Sequence, residues 1–189
     1  SDGVTPLQGL VSLAQGKFGG CGVMDDGTAR CWGTNVWGSL GNGTDGDALS
    51  PPVVVLGSDG QAPLTGVVKL AASYGHNWKE SRCALLEDQT VWCWGRQYEG
   101  QLGTGVSSVG YESEALPVQV LGPYGGFLEG VTDVDCGYNS CCTVAPNPFD
   151  SEEIQADPTS AQAWCWGLGG SGQLGQGSLS TSSTPVGVV

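Results

Sequence analysis

Histidine, methionine and basic residues are nearly missing from this chain, which has one His, one Met, and six Lys and Arg against 19 Asp and Glu. The formal net charge of −13 repels phosphate backbones and anionic headgroups, so neither nucleic acid nor a membrane surface is expected as a partner. Charged residues of both signs make up only 13%, too few for long solvated helices. No apolar run approaches the roughly 18 residues that a spanning helix needs, and no membrane insertion is expected. No C-x-x-C pair occurs, and His76 is the single histidine. A structural zinc site ordinarily draws on close cysteine pairs or several histidines, so no metal and no cofactor are expected. The chain opens at Ser1 without an initiator methionine and reads as the mature part of a processed soluble protein.

What the chain does have is glycine, cysteine and enough apolar residues for a core. Its 189 residues are 39% hydrophobic and 8% aromatic, sufficient for one or two domains. The 33 glycines point to tight turns and close backbone approaches. Eight cysteines without zinc spacing read as disulfides, and disulfides place the chain in an oxidising compartment, secreted or at the cell surface.

Internal repetition is the strongest signal. Cys-Trp-Gly occurs at Cys31-Trp32-Gly33, Cys93-Trp94-Gly95 and Cys165-Trp166-Gly167, each followed at one fixed distance by Gly-x-Leu-Gly-x-Gly at 38–43, 100–105 and 172–177. Upstream lie alternating segments at 9–14, 66–71 and 130–135, which read as short half-buried strands. Downstream, further strands are expected to begin at Pro52, Pro117 and Pro185, since a first position tolerates proline. Cys21 and Cys31 flank Asp25-Asp26-Gly27 symmetrically, as Cys83 and Cys93 flank Glu87-Asp88-Gln89. Both read as three-residue hairpin loops whose last residue is left-handed, natural for Gly27 and costly for Gln89. That register sets each cysteine pair opposite at about 4.5 to 5.5 Å between Cα atoms, within disulfide reach. Cys142 and Cys165 are the equivalent third pair, their loop expanded by a polar insertion from Pro146 to Gln162 that is expected to be exposed and mobile. Cys136 and Cys141 most simply bridge each other, although Cys141 and Cys142 are adjacent and could exchange places.

This order of strand, hairpin, Cys-Trp-Gly, Gly-Gln-Leu-Gly-x-Gly and Pro-Val resembles the repeat of the regulator of chromosome condensation family, and its Cys-Trp-Gly form is similar to a secreted bacterial branch. The resemblance covers essentially the whole chain. It implies an all-β fold of the β-propeller type, each repeat one four-stranded blade. The chain is then a single repeat domain, 1–189, with approximate blades 9–65, 66–129 and 130–189. Ser39 stands where Gln101 and Gln173 stand in the other units, a departure expected to specialise one loop. Propellers close with about four to eight blades, so three blades make a partial propeller, a ring closed by oligomerisation, or an arc capped by a partner.

Catalytic readings are thin. His76 has no counterpart in the other units, and the carboxylate pairs Asp25-Asp26 and Glu87-Asp88 sit at hairpin tips, where they solvate turns. Glu112 with Glu114, and Glu152-Glu153, offer no more than that. The loop Asn42-Gly43-Thr44-Asp45-Gly46-Asp47 has oxygen ligands but lacks the length and terminal glutamate of a calcium loop. Trp32, Trp94 and Trp166 recur at one place and read as core between blades. Trp37, Trp78, Tyr98 and Tyr111 are not repeated and fall in loops; with Arg96 they are the candidate partner-binding residues of a blade rim. The expected function is a non-enzymatic extracellular binding or self-assembling scaffold, taking a protein partner or copies of itself. The second reading is a lectin-like propeller that stacks aromatics on sugars. Relatives implied by the resemblance include exchange factors, chromatin binders and inhibitors of secreted enzymes; the charge disfavours chromatin and the cysteines disfavour a cytosolic exchange role.

Overall fold

A computed structural model of the chain describes residues 5–75, 80–107, 112–147, 150 and 160–189. It is all-β, with three four-stranded antiparallel sheets and no α-helix among the described residues. The first sheet is β1 (Leu10–Gln15), β2 (Gly19–Met24), β3 (Ala29–Asn35) and β4 (Gly46–Val54). The second is β5 (Val67–Ala72), β6 (Ser81–Leu86), β7 (Val91–Arg96) and β8 (Ser113–Gln119). The third is β9 (Asp133–Cys136), β10 (Ser140–Ala145), β11 (Gln162–Gly167) and β12 (Ser182–Gly187). Each sheet keeps chain order from first strand to last. The first strands adjoin across sheets, β1 on β5 and β5 on β9, so they form the inner side of a blade stack and β4, β8 and β12 the outer side.

The hairpins follow from their loops. Gly27 takes φ 75° and Gln89 takes φ 64°, closing three-residue loops in which Met24 and Leu86 accept from the N–H of Gly27 and Gln89. Register then sets Cys21 against Cys31, Cys83 against Cys93, and Cys142 against Cys165. Each of these pairs is bridged, and Cys136 is bridged to Cys141. The insertion loop lies for the most part outside the described residues.

The apolar core lies in two seams between sheets. Ala14, Val23, Leu40 and Val55 of the first sheet unit meet Val67, Leu70 and Trp94 of the second. Leu85, Leu102 and Val120 of the second meet Val131, Val134 and Trp166 of the third. Each seam has a polar lock. Trp94 Nε1 donates to Ser39 O at 3.1 Å, and Trp166 Nε1 donates to Gln101 O at 2.9 Å, so the indole that fills the seam is hydrogen-bonded as well as buried. The loops after the first two Cys-Trp-Gly motifs also lie against the next sheet's outer strand. A Cβ on Gly38 would stand 2.5 Å from Ala115 Cα, and one on Gly100 would stand 2.6 Å from Ser183 Cα. Only glycine permits that approach, and both residues are also left-handed.

Two expectations change. The outer strands do not begin at proline, because Pro52, Pro117 and Pro185 lie inside β4, β8 and β12. The pairing jumps there: Cys93 faces Val118 while Gly95 faces Glu114, and the same shift recurs beside Cys31 and Cys165. Proline sits in this irregularity on an edge strand, where no ladder N–H is needed. The third inner strand is also shorter than expected, beginning at Asp133 rather than Gly130.

Candidate binding site at the seam of the first two sheets

β7 ends at Arg96, whose N–H donates to Glu80 O, and the chain then leaves the sheet through Gln97 and Tyr98. The Gln97 side chain donates to Thr104 Oγ1 at 2.5 Å and to Val106 O, tying the loop's two limbs together. Asn35 performs the same task in the first unit, donating to Thr44 O and Thr44 Oγ1. The loop tips differ. In the second and third units Gln101 Oε1 and Gln173 Oε1 accept the N–H of Glu99 and Ser171. In the first unit Ser39 donates instead to Thr34 O, and a short 3₁₀ turn, Val36–Gly38, carries Trp37 at φ 67°. A bulky side chain in that region costs about 1–3 kcal/mol.

This turn packs on β7 and β8 of the following sheet and brings Trp37 to Arg96. The Arg96 guanidinium carbon lies 5.5 Å from the Trp37 ring centre and 4.8 Å from that of Tyr98. Three of the five candidate residues thus share one spot. Arg96 is buried, Trp37 half-buried and Tyr98 exposed, so the aromatics form the surface and the cation lies among them. A desolvated cation–aromatic contact contributes about 2 kcal/mol. Trp78, Tyr111 and His76 lie outside the described residues, as do Glu152 and Glu153.

Sequence reasoning passed over a buried ion pair between the same two sheets. Glu80 and Arg82 are fully buried and paired at 2.7 Å. Glu80 Oε1 accepts the Phe18 N–H at 2.8 Å and Arg82 Nη2 donates to Gly19 O at 3.2 Å, so one ion pair fastens the second sheet to the first. Charged residues alternating in Glu80-Ser81-Arg82, with Phe18 and Gly20 at those places in the first unit, were the available signal. Gln97 also lines an open groove with Trp92, Glu114, Val118 and Phe127; Phe127 is exposed and unrepeated.

The remaining sequence candidates have structural duties. Asp26 accepts from the Thr28 hydroxyl and N–H, and those bonds hold its carboxyl below the usual range. Asp88 Oδ1 likewise accepts hydrogen bonds from the Thr90 N–H and hydroxyl. Asn42 Oδ1 accepts from the Thr44 N–H and hydroxyl within the loop considered for calcium. The sulfurs of Cys83, Cys136 and Cys141 cluster within 4.8 Å of one another, but each belongs to a cystine and offers no thiolate to a metal.

Two family profiles described as regulator of chromosome condensation (RCC1) repeat match the chain, over residues 88–144 and 67–101. The E3 ubiquitin-protein ligase HERC2 of Homo sapiens is 31% identical over 161 residues, covering 84% of this chain and 3% of that protein, and the Mus musculus protein matches equally. Among solved structures, yeast RCC1 (Prp20) bound to Kap60 superposes with a TM-score of 0.71 at 18% identity, covering 97% of this chain and 37% of the other. Prp20p from Saccharomyces cerevisiae, described with its binding to Gsp1p and histones, gives 0.69 at 18% identity, covering 97% and 39%. The chain therefore spans a small fraction of the HERC2 proteins and under half of the yeast propeller. With its three Cys-Trp-Gly sheets and the propeller likeness, this chain carries the repeat of the regulator of chromosome condensation family.

Proposed function

We propose that this chain is a non-catalytic, extracellular binding scaffold that holds a protein partner at the rim where the first two sheets meet. The observation that carries the reading is the position of Arg96 between Trp37 and Tyr98. Aromatic and arginine side chains clustered around a desolvated centre are the residue types that dominate protein interfaces. Here the cation is already stacked and its backbone N–H is held by Glu80 O, so little ordering cost remains when a partner docks. The yeast relative is described in complex with Kap60 and as a binder of Gsp1p and histones, which supports protein recognition by a propeller of this kind. Four cystines support an oxidising compartment.

The test is a photo-crosslinking amino acid at position 98, with position 61 as the exposed control, in the extracellular fraction of the source. A discrete protein adduct at 98 that is absent at 61, and that Trp37→Ala abolishes, is the expected result. Equal labelling at both positions sinks the reading. The exposed ring of Tyr98 favours one alternative, stacking on a sugar face; a glycan array that lights up with the native chain and goes dark with Tyr98→Ala would replace the protein partner with a carbohydrate.

A further inference from the structure

The middle sheet lies between the other two, so its outer edge can be compared with theirs position by position. Facing the glycine of Cys-Trp-Gly stand Leu49 in the first sheet, Glu114 in the second and Ser182 in the third. In the loops that follow β4 and β8, the bridge from Leu56 to Pro63 corresponds to that from Leu121 to Phe127. The repeat is thus built elsewhere without a carboxylate at the first place and without an aromatic ring at the second. Phe127 is nevertheless 55% exposed, a cost that its own packing does not offset.

Both residues line one open groove of about 510 Å³ on that edge, with Glu112, Trp92, Val118 and Leu121. The groove follows β8. Glu114 pairs with Gly95 near the start of the strand and Gln119 with Trp92 at its end, which sets the carboxylates and the apolar wall roughly 15 Å apart at the rise of a strand. The wall is held in place. Trp92 Nε1 donates to Thr90 Oγ1 at 3.0 Å, and on either side of Phe127 the N–H of Leu121 donates to Gly103 O and that of Leu128 to Val120 O. Glu112 and Glu114 are exposed and have no ion-pair partner among the described residues, and no described residue lining the groove is basic. The edge does not invite a further strand, because Pro117 lies inside β8 without an N–H and Ala115 O already accepts the Gly43 N–H.

We propose that this groove binds an extended basic segment of a partner protein, an arginine or lysine at Glu112 and Glu114 and an apolar side chain about four or five residues away against Trp92 and Phe127. Charge selects the occupant: a net charge of −13 draws a basic chain to the surface, and the two glutamates fix which end of it lies where. Ion pairs at a surface contribute little by themselves, and the aromatic wall supplies the apolar burial that they lack. A groove of this size takes a short segment rather than a folded face. It adjoins the rim, since Gln97 follows Arg96 and lines it, but it holds its occupant through other side chains and stands apart from the rim reading.

The probe is a set of short Gly-Ser peptides, each carrying one arginine and one phenylalanine in either order at increasing separation, titrated by fluorescence anisotropy against the purified, disulfide-intact chain. Binding is expected to be tightest at a separation of about four or five residues and to weaken as salt rises. Phe127→Ala should loosen that peptide about tenfold, as the loss of one interface anchor does. Glu112→Gln combined with Glu114→Gln should remove the preference for arginine over glutamine in the peptide, and both variants should melt with the native chain. No binding, or binding that is equal at every separation, overturns the proposal. So does binding that Phe127→Ala leaves untouched, which would reduce the groove to its charge, and so does a two-chain species in sedimentation that Phe127→Ala abolishes, which would make a second copy the occupant. Tyr98→Ala should leave peptide affinity unchanged, so the groove and the rim can fail separately.

Discussion

Glu80 and Arg82 bury opposite charges completely at the point where two sheets must stay in register. Breaking such a pair leaves its partner charged and out of water, which costs about 3–5 kcal/mol. Glu80→Gln is therefore expected to lower the urea midpoint of unfolding sharply, although the amide can still accept the Phe18 N–H. Gln89 is a smaller case with the opposite sign. It is left-handed at φ 64° where the first hairpin uses Gly27, and Gln89→Gly should gain up to about 1 kcal/mol, seen as a melting temperature higher by about 2–4 °C. The strain at Gln89 was legible because a repeat shows what each turn requires. The stacking of Arg96 on Trp37 was not, since nothing in either loop states that the first reaches across the seam to the second. Arg96 beside Tyr98 is a matter of neighbouring positions; Arg96 beside Trp37 is a matter of tertiary packing.

Among the strands, β5 and β9 are joined at their inner edge by Lys69 and Asp133, 2.5 Å apart. The hydrogen bond from Lys69 holds the Asp133 carboxyl below the usual aspartate range, assisted by the Val134 N–H. A lowered carboxylate contributes stability that is present above its unfolded pKa, about 3.9, and is lost as pH falls through the folded value. Both side chains are about half exposed, so the effect is small and screened by salt. Asp133→Asn should lower the urea midpoint slightly at neutral pH, and the difference from the native chain should vanish once acid has protonated Asp133. The cystines of the second and third sheets also touch: Cys83 Sγ lies 3.8 Å from Cys141 Sγ. Neither sulfur carries hydrogen, so this is packing contact. Limited treatment with a phosphine that frees Cys83 should let its thiolate attack Cys141, releasing Cys136 and tying the two sheets together. Peptide mapping after acid quenching should find a Cys83–Cys141 bridge; finding only the original pairs would contradict that geometry. The hairpins themselves were readable from cysteine spacing and turn residues. The placement of proline inside β4, β8 and β12 was not, because spacing alone does not announce a pairing that jumps opposite each tryptophan.

For the molecule as a whole, three sheets and their all-β class were legible because the same pattern appears three times over, and each copy corrects the reading of the others. How sheets meet was only half legible: the tryptophans announced a buried position without announcing its acceptor. The outer prolines carry a consequence at this scale. A bare outermost strand offers unpaired amide and carbonyl groups as a template on which foreign chains add layer by layer into fibrils. Pro52, Pro117 and Pro185 remove a donor from each such template, and the distorted pairing beside them spoils its flatness. Pro117→Val should therefore shorten the lag before thioflavin fluorescence rises in shaken solution, while the native protein stays clear. A stack whose sheets pack face to face along two seams has in this way been made inhospitable along its margins.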